Sequence, residues 1–104
     1  MPRLFSYGSL QQPAVQRRIL GREPPGSADE IIGFERVLIR RAGKELANVV
    51  RNGRADSRVA GTVFEVSDAD LVVVDAYEAT DSYVRTQAAL ASGGEAWLYA
   101  EGAR

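Results

Sequence analysis

Cysteine and histidine are both missing from this chain of 104 residues. Without cysteine, the chain forms no disulfide and has neither a catalytic thiol nor a cysteine-ligated metal. Without histidine, it lacks Ser-His hydrolysis, histidine acid–base catalysis and the ligands of most zinc sites. We therefore expect no metal site and no cofactor. Proton transfer, if the protein is an enzyme, falls to carboxylates, tyrosines or the single lysine, Lys44.

Net charge and long apolar runs are also scarce. The formal net charge is -1, so no overall field favours nucleic acid or a membrane surface. The first residues, Met-Pro-Arg-Leu-Phe, are too short an apolar run for a signal peptide, and no stretch approaches the length that spans a bilayer. We expect a cytoplasmic protein that binds neither nucleic acid nor membranes. Nothing in the sequence specifies an oligomeric state.

The composition that remains is that of an ordinary globular protein. The chain is 45% hydrophobic and 26% charged, and its length suits one domain over residues 1–104. Apolar and turn residues alternate in a way that predicts about six strands and two short helices. The predicted strands are Pro2–Tyr7, Ile31–Arg40 with a bulge or bend at Gly33, Leu46–Arg51, Val59–Val66, Tyr83–Leu90 and Glu95–Ala100. Because most strands are adjacent in sequence, we expect an α+β domain with a largely antiparallel, curved sheet or small barrel.

The two predicted helices have recognisable ends. Pro13 suits the first turn of a helix over Pro13–Leu20, and Gly21 suits its C-terminal stop. Ser67 resembles the N-cap of a second helix, with Asp70 three residues later as in a capping box. This second helix should end near Tyr77 or Glu78.

The stretch Phe5-Ser6-Tyr7-Gly8-Ser9-Leu10 is a candidate anion-binding turn. A strand that ends in a small-residue turn before a helix leaves several backbone N–H groups without partners. Such groups can bind a carboxylate or a phosphate, and Gly8 would let the backbone approach the ligand closely. The alternative is an ordinary glycine turn that follows an N-terminal strand.

Glu78 is a candidate general base. In a helix it shares one face with Leu71 and Val74, so it lies at the end of the face that points into the core. Partial loss of solvation there would raise the pKa of the carboxyl group, as a base working near neutral pH requires. The alternative is a glutamate at the helix end that reaches solvent.

Asp75, Tyr83 and Arg85 are three further candidate site residues. Asp75 lies one turn before Glu78 and is either a second acid or a solvated or capping aspartate. Tyr83 and Arg85 share one face of a strand, and both are candidate substrate-binding residues. Arg85 either holds a substrate carboxylate, pairs with Glu78, or forms a surface or structural ion pair.

The order of these segments resembles the gamma-glutamylcyclotransferase-like family, including its small avirulence-induced-gene-like branch. The likeness covers nearly the whole chain. Its residues are Tyr7-Gly8-Ser9-Leu10, then Gly61-Thr62-Val63-Phe64-Glu65-Val66, then Asp75-Ala76-Tyr77-Glu78 with Tyr83-Val84-Arg85. The resemblance implies a small mixed, largely antiparallel β-barrel with two short flanking helices.

The resemblance also implies a reaction. Active members of the family convert a gamma-glutamyl compound to 5-oxoproline and release the amine or amino acid. By resemblance, the backbone of Tyr7, Gly8, Ser9 and Leu10 would hold the α-carboxylate of the substrate, and Glu78 would match the catalytic glutamate. Two alternatives stay open: a non-catalytic module that holds a small carboxylate-bearing metabolite, and a structural or partner-binding domain with a filled cavity.

Overall fold

The computed structural model describes residues 1–80 and 82–101. The last three residues of the predicted domain lie outside the described residues. The described part contains two α-helices, α1 and α2, and a short 3-10 turn at Ser9–Gln11. The helices are α1 (Pro13–Leu20) and α2 (Asp68–Ala79). The strands are β1 (Arg3–Ser6), β2 (Gly26–Ile32), β3 (Phe34–Arg41), β4 (Lys44–Arg51), β5 (Arg58–Glu65), β6 (Tyr83–Ala89) and β7 (Glu95–Glu101).

Five strands form one sheet in the order β2-β5-β1-β7-β6, and β3 pairs with β4 in a separate two-stranded ribbon. Every pairing is antiparallel except that of β1 with β7, which is parallel. The two edges of the larger sheet meet at one bridge, between Ile31 and Leu90. The predicted α+β class with a largely antiparallel sheet and two helices is confirmed. The predicted barrel is wrong in that the sheet curls without closing.

The sheet stays open because the chain leaves β2 just after the bridge. Gly33 has φ 84°, a left-handed conformation that turns the chain out of the larger sheet and into the ribbon. The sequence pattern predicted one strand over Ile31–Arg40, with only a bulge or bend at Gly33. The structure has two strands there, and the first begins earlier, in the polar stretch Gly26–Glu30 that carries no apolar alternation.

The core lies on both sides of β1, which occupies the centre of the sheet. Leu4 and Phe5 are each 1% exposed and point to opposite faces, as successive strand residues do. Leu4 packs in the apolar cluster beneath the two helices, and Phe5 packs in the cluster on the other face. Burial on both faces holds β1 at the centre of the sheet.

The end of β1 also depends on a close approach by β5. A Cβ atom at Gly61 would lie 2.3 Å from the carbonyl oxygen of Ser6 and 2.6 Å from the ring of Phe5. Only glycine therefore lets β5 pair with β1 at this level.

Of the helices in residues 1–80 and 82–101, none has the length and apolar character that crossing a membrane requires.

The helix ends follow the predicted signals. Pro13 stands at the start of α1, and Gly21 caps its end with φ 77°. At the start of α2, Ser67 and Asp70 form a complete capping box. Leu71 and Val74 are 2% and 0% exposed, so the predicted inward face of α2 is confirmed.

Candidate active site

In the turn after β1, the backbone N–H groups of Ser9 and Leu10 take no part in the hydrogen bonds of the turn. The carbonyl oxygen of Gly8 accepts from the N–H of Gln11 at 3.1 Å, and that of Ser9 accepts from the N–H of Gln12 at 3.0 Å. In a trans peptide the C=O and N–H point in opposite directions, and the described bonds are all trans. The N–H groups of Ser9 and Leu10 therefore point the other way. Within residues 1–80 and 82–101, neither has an acceptor.

Three side chains from other elements hold this turn. Arg36 of β3 donates from Nη1 to the carbonyl oxygen of Tyr7 at 3.1 Å. Gln16 of α1, which is 5% exposed, donates from Nε2 to the carbonyl oxygen of Leu10 at 2.9 Å. The hydroxyl of Tyr77 in α2 lies 3.1 Å from Oγ of Ser9. Sequence reasoning missed all three. The partners of Arg36 and Tyr77 are distant along the chain, and the bond from Gln16 to Leu10 belongs to no capping pattern.

A cavity of about 190 Å³ opens beside the turn. Its walls come from β1, the turn, β4, the last part of α2, β6 and β7. The lining residues are 4–10, 45–47, Tyr77, Glu78, Tyr83 and Tyr99. Of the predicted site residues, the structure therefore brings Tyr7, Gly8, Ser9, Leu10, Glu78 and Tyr83 together around one cavity.

Glu78 lies in the last turn of α2, half-buried at the cavity wall. Its charge contributes to the raised pKa of both Tyr7 and Tyr99, so the carboxylate is electrostatically close to both hydroxyls. Glu45 also lines the cavity, but its side chain is 58% exposed and lies 3.0 Å from Nη2 of Arg40. Of the carboxylates that line the cavity in the described part of the chain, Glu78 is thus more desolvated than Glu45, and its raised pKa stays a prediction.

The cavity tyrosines bond to protein acceptors. Tyr7 donates to the carbonyl oxygen of Tyr99 at 2.5 Å, and Tyr83 donates to that of Ala47 at 2.5 Å. Tyr99 donates to Oδ1 of Asp75 at 2.6 Å. Burial raises the pKa of Tyr7, and burial followed by the contact with Asp75 raises that of Tyr99. These two hydroxyls therefore stay protonated near neutral pH, with their protons directed at protein oxygens.

Arg85 is absent from the cavity wall. Its Nε lies 3.2 Å from Oδ1 of Asp75, and its guanidinium stacks 4.7 Å from the ring centre of Trp97. A structural ion pair is one of the alternatives to substrate binding that the sequence leaves open for Arg85. In the described part of the chain, no group of three or more acidic side chains is arranged to hold a metal ion.

Comparison with known proteins agrees with this architecture. A solution structure from Arabidopsis thaliana has a TM-score of 0.80 and 25% identity, over 96% of this chain and 61% of that one. A second solution structure from Arabidopsis thaliana has a TM-score of 0.77 and 24% identity, over 96% and 68%. A gamma-glutamyl cyclotransferase structure has a TM-score of 0.73 and 17% identity, over 96% and 66%. At these lower identities the second and third show the fold alone.

The chain spans 61% of the length of the first of these structures. None of the curated proteins compared with it matches. The family model described as gamma-glutamyl cyclotransferase, AIG2-like, matches residues 4–103. Since that match covers nearly the whole chain, the protein belongs to the gamma-glutamyl cyclotransferase, AIG2-like family.

Proposed function

We propose that this protein converts a gamma-glutamyl amine or gamma-glutamyl amino acid to 5-oxoproline and releases the amine or amino acid. One observation carries the proposal: half-buried Glu78 lines the same cavity as the turn whose Ser9 and Leu10 N–H groups lack acceptors among the described residues. Membership of a family that includes gamma-glutamyl cyclotransferases supports the same reaction class.

The turn is suited to the α-carboxylate of the substrate. Two N–H groups that point in one direction form charge-assisted hydrogen bonds with a carboxylate, and these are stronger than bonds between neutral groups. Arg36 and Gln16 hold the carbonyl oxygens at the two ends of the turn, so little ordering is left to occur on binding. In our proposal, residues 7–10 orient the glutamyl group with its α-nitrogen toward Glu78.

Glu78 then acts as the proton carrier. The ionised carboxylate takes a proton from the α-ammonium group, and the freed amine attacks the gamma-carbonyl carbon to form the lactam C–N bond. As the original amide C–N bond breaks, Glu78 delivers the proton to the leaving nitrogen. The nitrogen that attacked still carries one extra proton, and Glu78 takes this second proton and passes it to the released amine. Overall the α-nitrogen loses two protons, the leaving nitrogen gains two, and Glu78 returns to its ionised state. Because both reacting groups belong to one molecule, the protein acts mainly by orienting them.

The test measures 5-oxoproline release from a panel of gamma-glutamyl amines and dipeptides. We expect Glu78→Gln to lower turnover by roughly 10²- to 10⁴-fold, since it removes the acid–base group. The matched control is Glu95→Gln, the same change at an exposed residue at the start of β7. This control should keep wild-type turnover. Normal 5-oxoproline release by folded Glu78→Gln protein would show that the assignment of Glu78 is wrong.

The same panel separates catalysis from binding. If the wild-type protein releases no 5-oxoproline but one compound raises its melting temperature, the cavity serves a non-catalytic binding module. The proposed reaction predicts release of 5-oxoproline and free amine in equal amounts.

A further inference from the structure

A buried hydroxyl connects the cavity to an ion pair behind its wall. Tyr99 is 5% exposed and lines the cavity, and its hydroxyl donates to Oδ1 of Asp75 at 2.6 Å. The same carboxylate oxygen lies 3.2 Å from Nε of Arg85. The side chains of Asp75 and Arg85 are 40% and 31% exposed, so the pair is partly shielded from solvent. The carboxylate of Asp75 therefore links α2 to β6 through Arg85 and to β7 through Tyr99.

This ion pair lies close to Glu78. Asp75 precedes Glu78 by three residues on α2, and residues at that spacing are neighbours on one side of a helix. Besides burial, the charges of Asp75 and Glu78 raise the pKa of Tyr99, and the charge of Arg85 lowers it. One hydroxyl therefore senses all three charges.

We infer that Asp75 and Arg85 are positioning residues for Glu78: the pair anchors the last turn of α2 to β6 and β7 and neutralises the charge that Asp75 places beside the base. The inference rests on the proposed function. Neither residue lines the cavity, so both act through Glu78 and Tyr99. An unpaired Asp75 would repel the ionised form of Glu78, and Arg85 offsets that repulsion.

Other ionisable groups surround Glu78, and they differ from this pair. Among residues 1–80 and 82–101, those that line the cavity are Tyr7, Glu45, Tyr77, Tyr83 and Tyr99. Arg36 of β3 approaches through the carbonyl oxygen of Tyr7, and Glu45 is paired with Arg40. The Asp75–Arg85 pair stands apart because its side chains are less exposed than those of Arg40 and Glu45, so solvent screens them less. One substitution in this pair leaves a positive charge near Glu78, and another leaves a negative charge.

The test uses those two substitutions. Asp75→Asn leaves Arg85 unpaired, so it should lower the pKa of Glu78 and move the acidic limb of the kcat/KM profile to lower pH. Arg85→Gln leaves Asp75 unpaired, so it should raise that pKa and move the same limb to higher pH. We expect shifts of roughly 0.5 pH unit each, from Coulomb interaction at partly screened distances. Titration of the Glu78 carboxyl carbon by ¹³C NMR measures the same shifts without substrate.

Three control variants isolate the electrostatic effect. Asp75→Asn combined with Arg85→Gln should return the Glu78 titration to near its wild-type position. Arg85→Lys keeps the charge and should also stay near wild type. Arg17 lies on α1 and forms an exposed ion pair with Glu23. Arg17→Gln makes the same substitution at that pair and should leave the titration of Glu78 unchanged.

Opposite shifts for the two single variants support the inference, since a merely structural role would not give them opposite signs. Shifts in the same direction, or none in folded protein, overturn it. If Arg85→Gln does not fold, adding it to Asp75→Asn must still raise the lowered pKa of Glu78, and failure to do so overturns the inference. An inactive wild-type protein would refute the proposed function, whereas the NMR titration would still decide the role of the pair.

Discussion

The two ends of α2 each carry a carboxylate near the core, and their surroundings differ. At the start, Asp70 accepts from Nη1 and Nη2 of Arg22 at 3.0 and 2.6 Å, and from the N–H of Ser67 at 2.9 Å. Its side chain is 11% exposed. At the other end, half-buried Glu78 lines a cavity beside the turn after β1.

This difference separates a structural acid from a candidate catalytic one. The hydrogen bonds from Arg22 hold the pKa of Asp70 well below its usual range, so its carboxylate stays ionised at neutral pH. A group held in one protonation state transfers no protons near neutral pH. Glu78 has space in front of it that a substrate can occupy. The lowered pKa of Asp70 and the cavity in front of Glu78, rather than burial alone, distinguish the two roles.

Moving the carboxylate at the C-terminal end should have the largest effect. Glu78→Asp keeps the charge but withdraws the group by one methylene. A displacement of about 1 Å can cost roughly 100-fold in rate, so we expect a fall of that order in 5-oxoproline release. Steady-state kinetics measures the fall, and thermal unfolding should show little change. Wild-type kinetics in this variant would mean that turnover does not depend on the exact placement of the carboxylate at residue 78.

Removing the carboxylate at the N-terminal end of α2 should lower the stability of the fold and leave turnover unchanged. Asp70→Ala abolishes half of the capping box and the contacts with Arg22. We expect the free energy of unfolding to fall by about 1–2 kcal/mol, as for loss of a helix cap. Urea denaturation measures this change. Turnover per folded molecule should stay at the wild-type level, and a large loss of turnover with unchanged stability would reverse the two assigned roles.

Low pH should remove part of the contribution that Asp70 makes to the free energy of unfolding. Since the pKa of Asp70 is lower in the folded protein than its unfolded value of about 3.9, its ionised form stabilises the fold above that pH. The stability difference between wild type and Asp70→Ala should be constant from about pH 5 to 7 and shrink as the pH falls below about 4. Denaturation at several pH values measures it. A difference that stays constant to about pH 2 would argue against this linkage.

Much of the local structure could be predicted because its signals lie close together in sequence. Pro13 and Gly21 bound α1 as expected, and Ser67 with Asp70 start α2 as expected. These signals act through bonds between residues a few positions apart. The inward position of Glu78 followed in the same way from its spacing to Leu71 and Val74.

Long-range partners could not be predicted, even where the residues themselves were noticed. Asp70 was expected as a cap, but its pairing with Arg22 joins residues 48 positions apart. Arg85 was expected as a possible substrate ligand, and the structure pairs it with Asp75. An arginine can reach many acids, and only the packing of β6 against α2 selects one.

Apolar periodicity and capping residues were enough to establish most helices and strands, the α+β class and the face of α2 that points inward, since each depends on contacts within a few residues. Folding in three dimensions settled that the sheet remains open at Gly33 and that residues 7–10 and Glu78 border one cavity. Those outcomes depend on how strands from distant parts of the chain align, and no local pattern encodes that alignment.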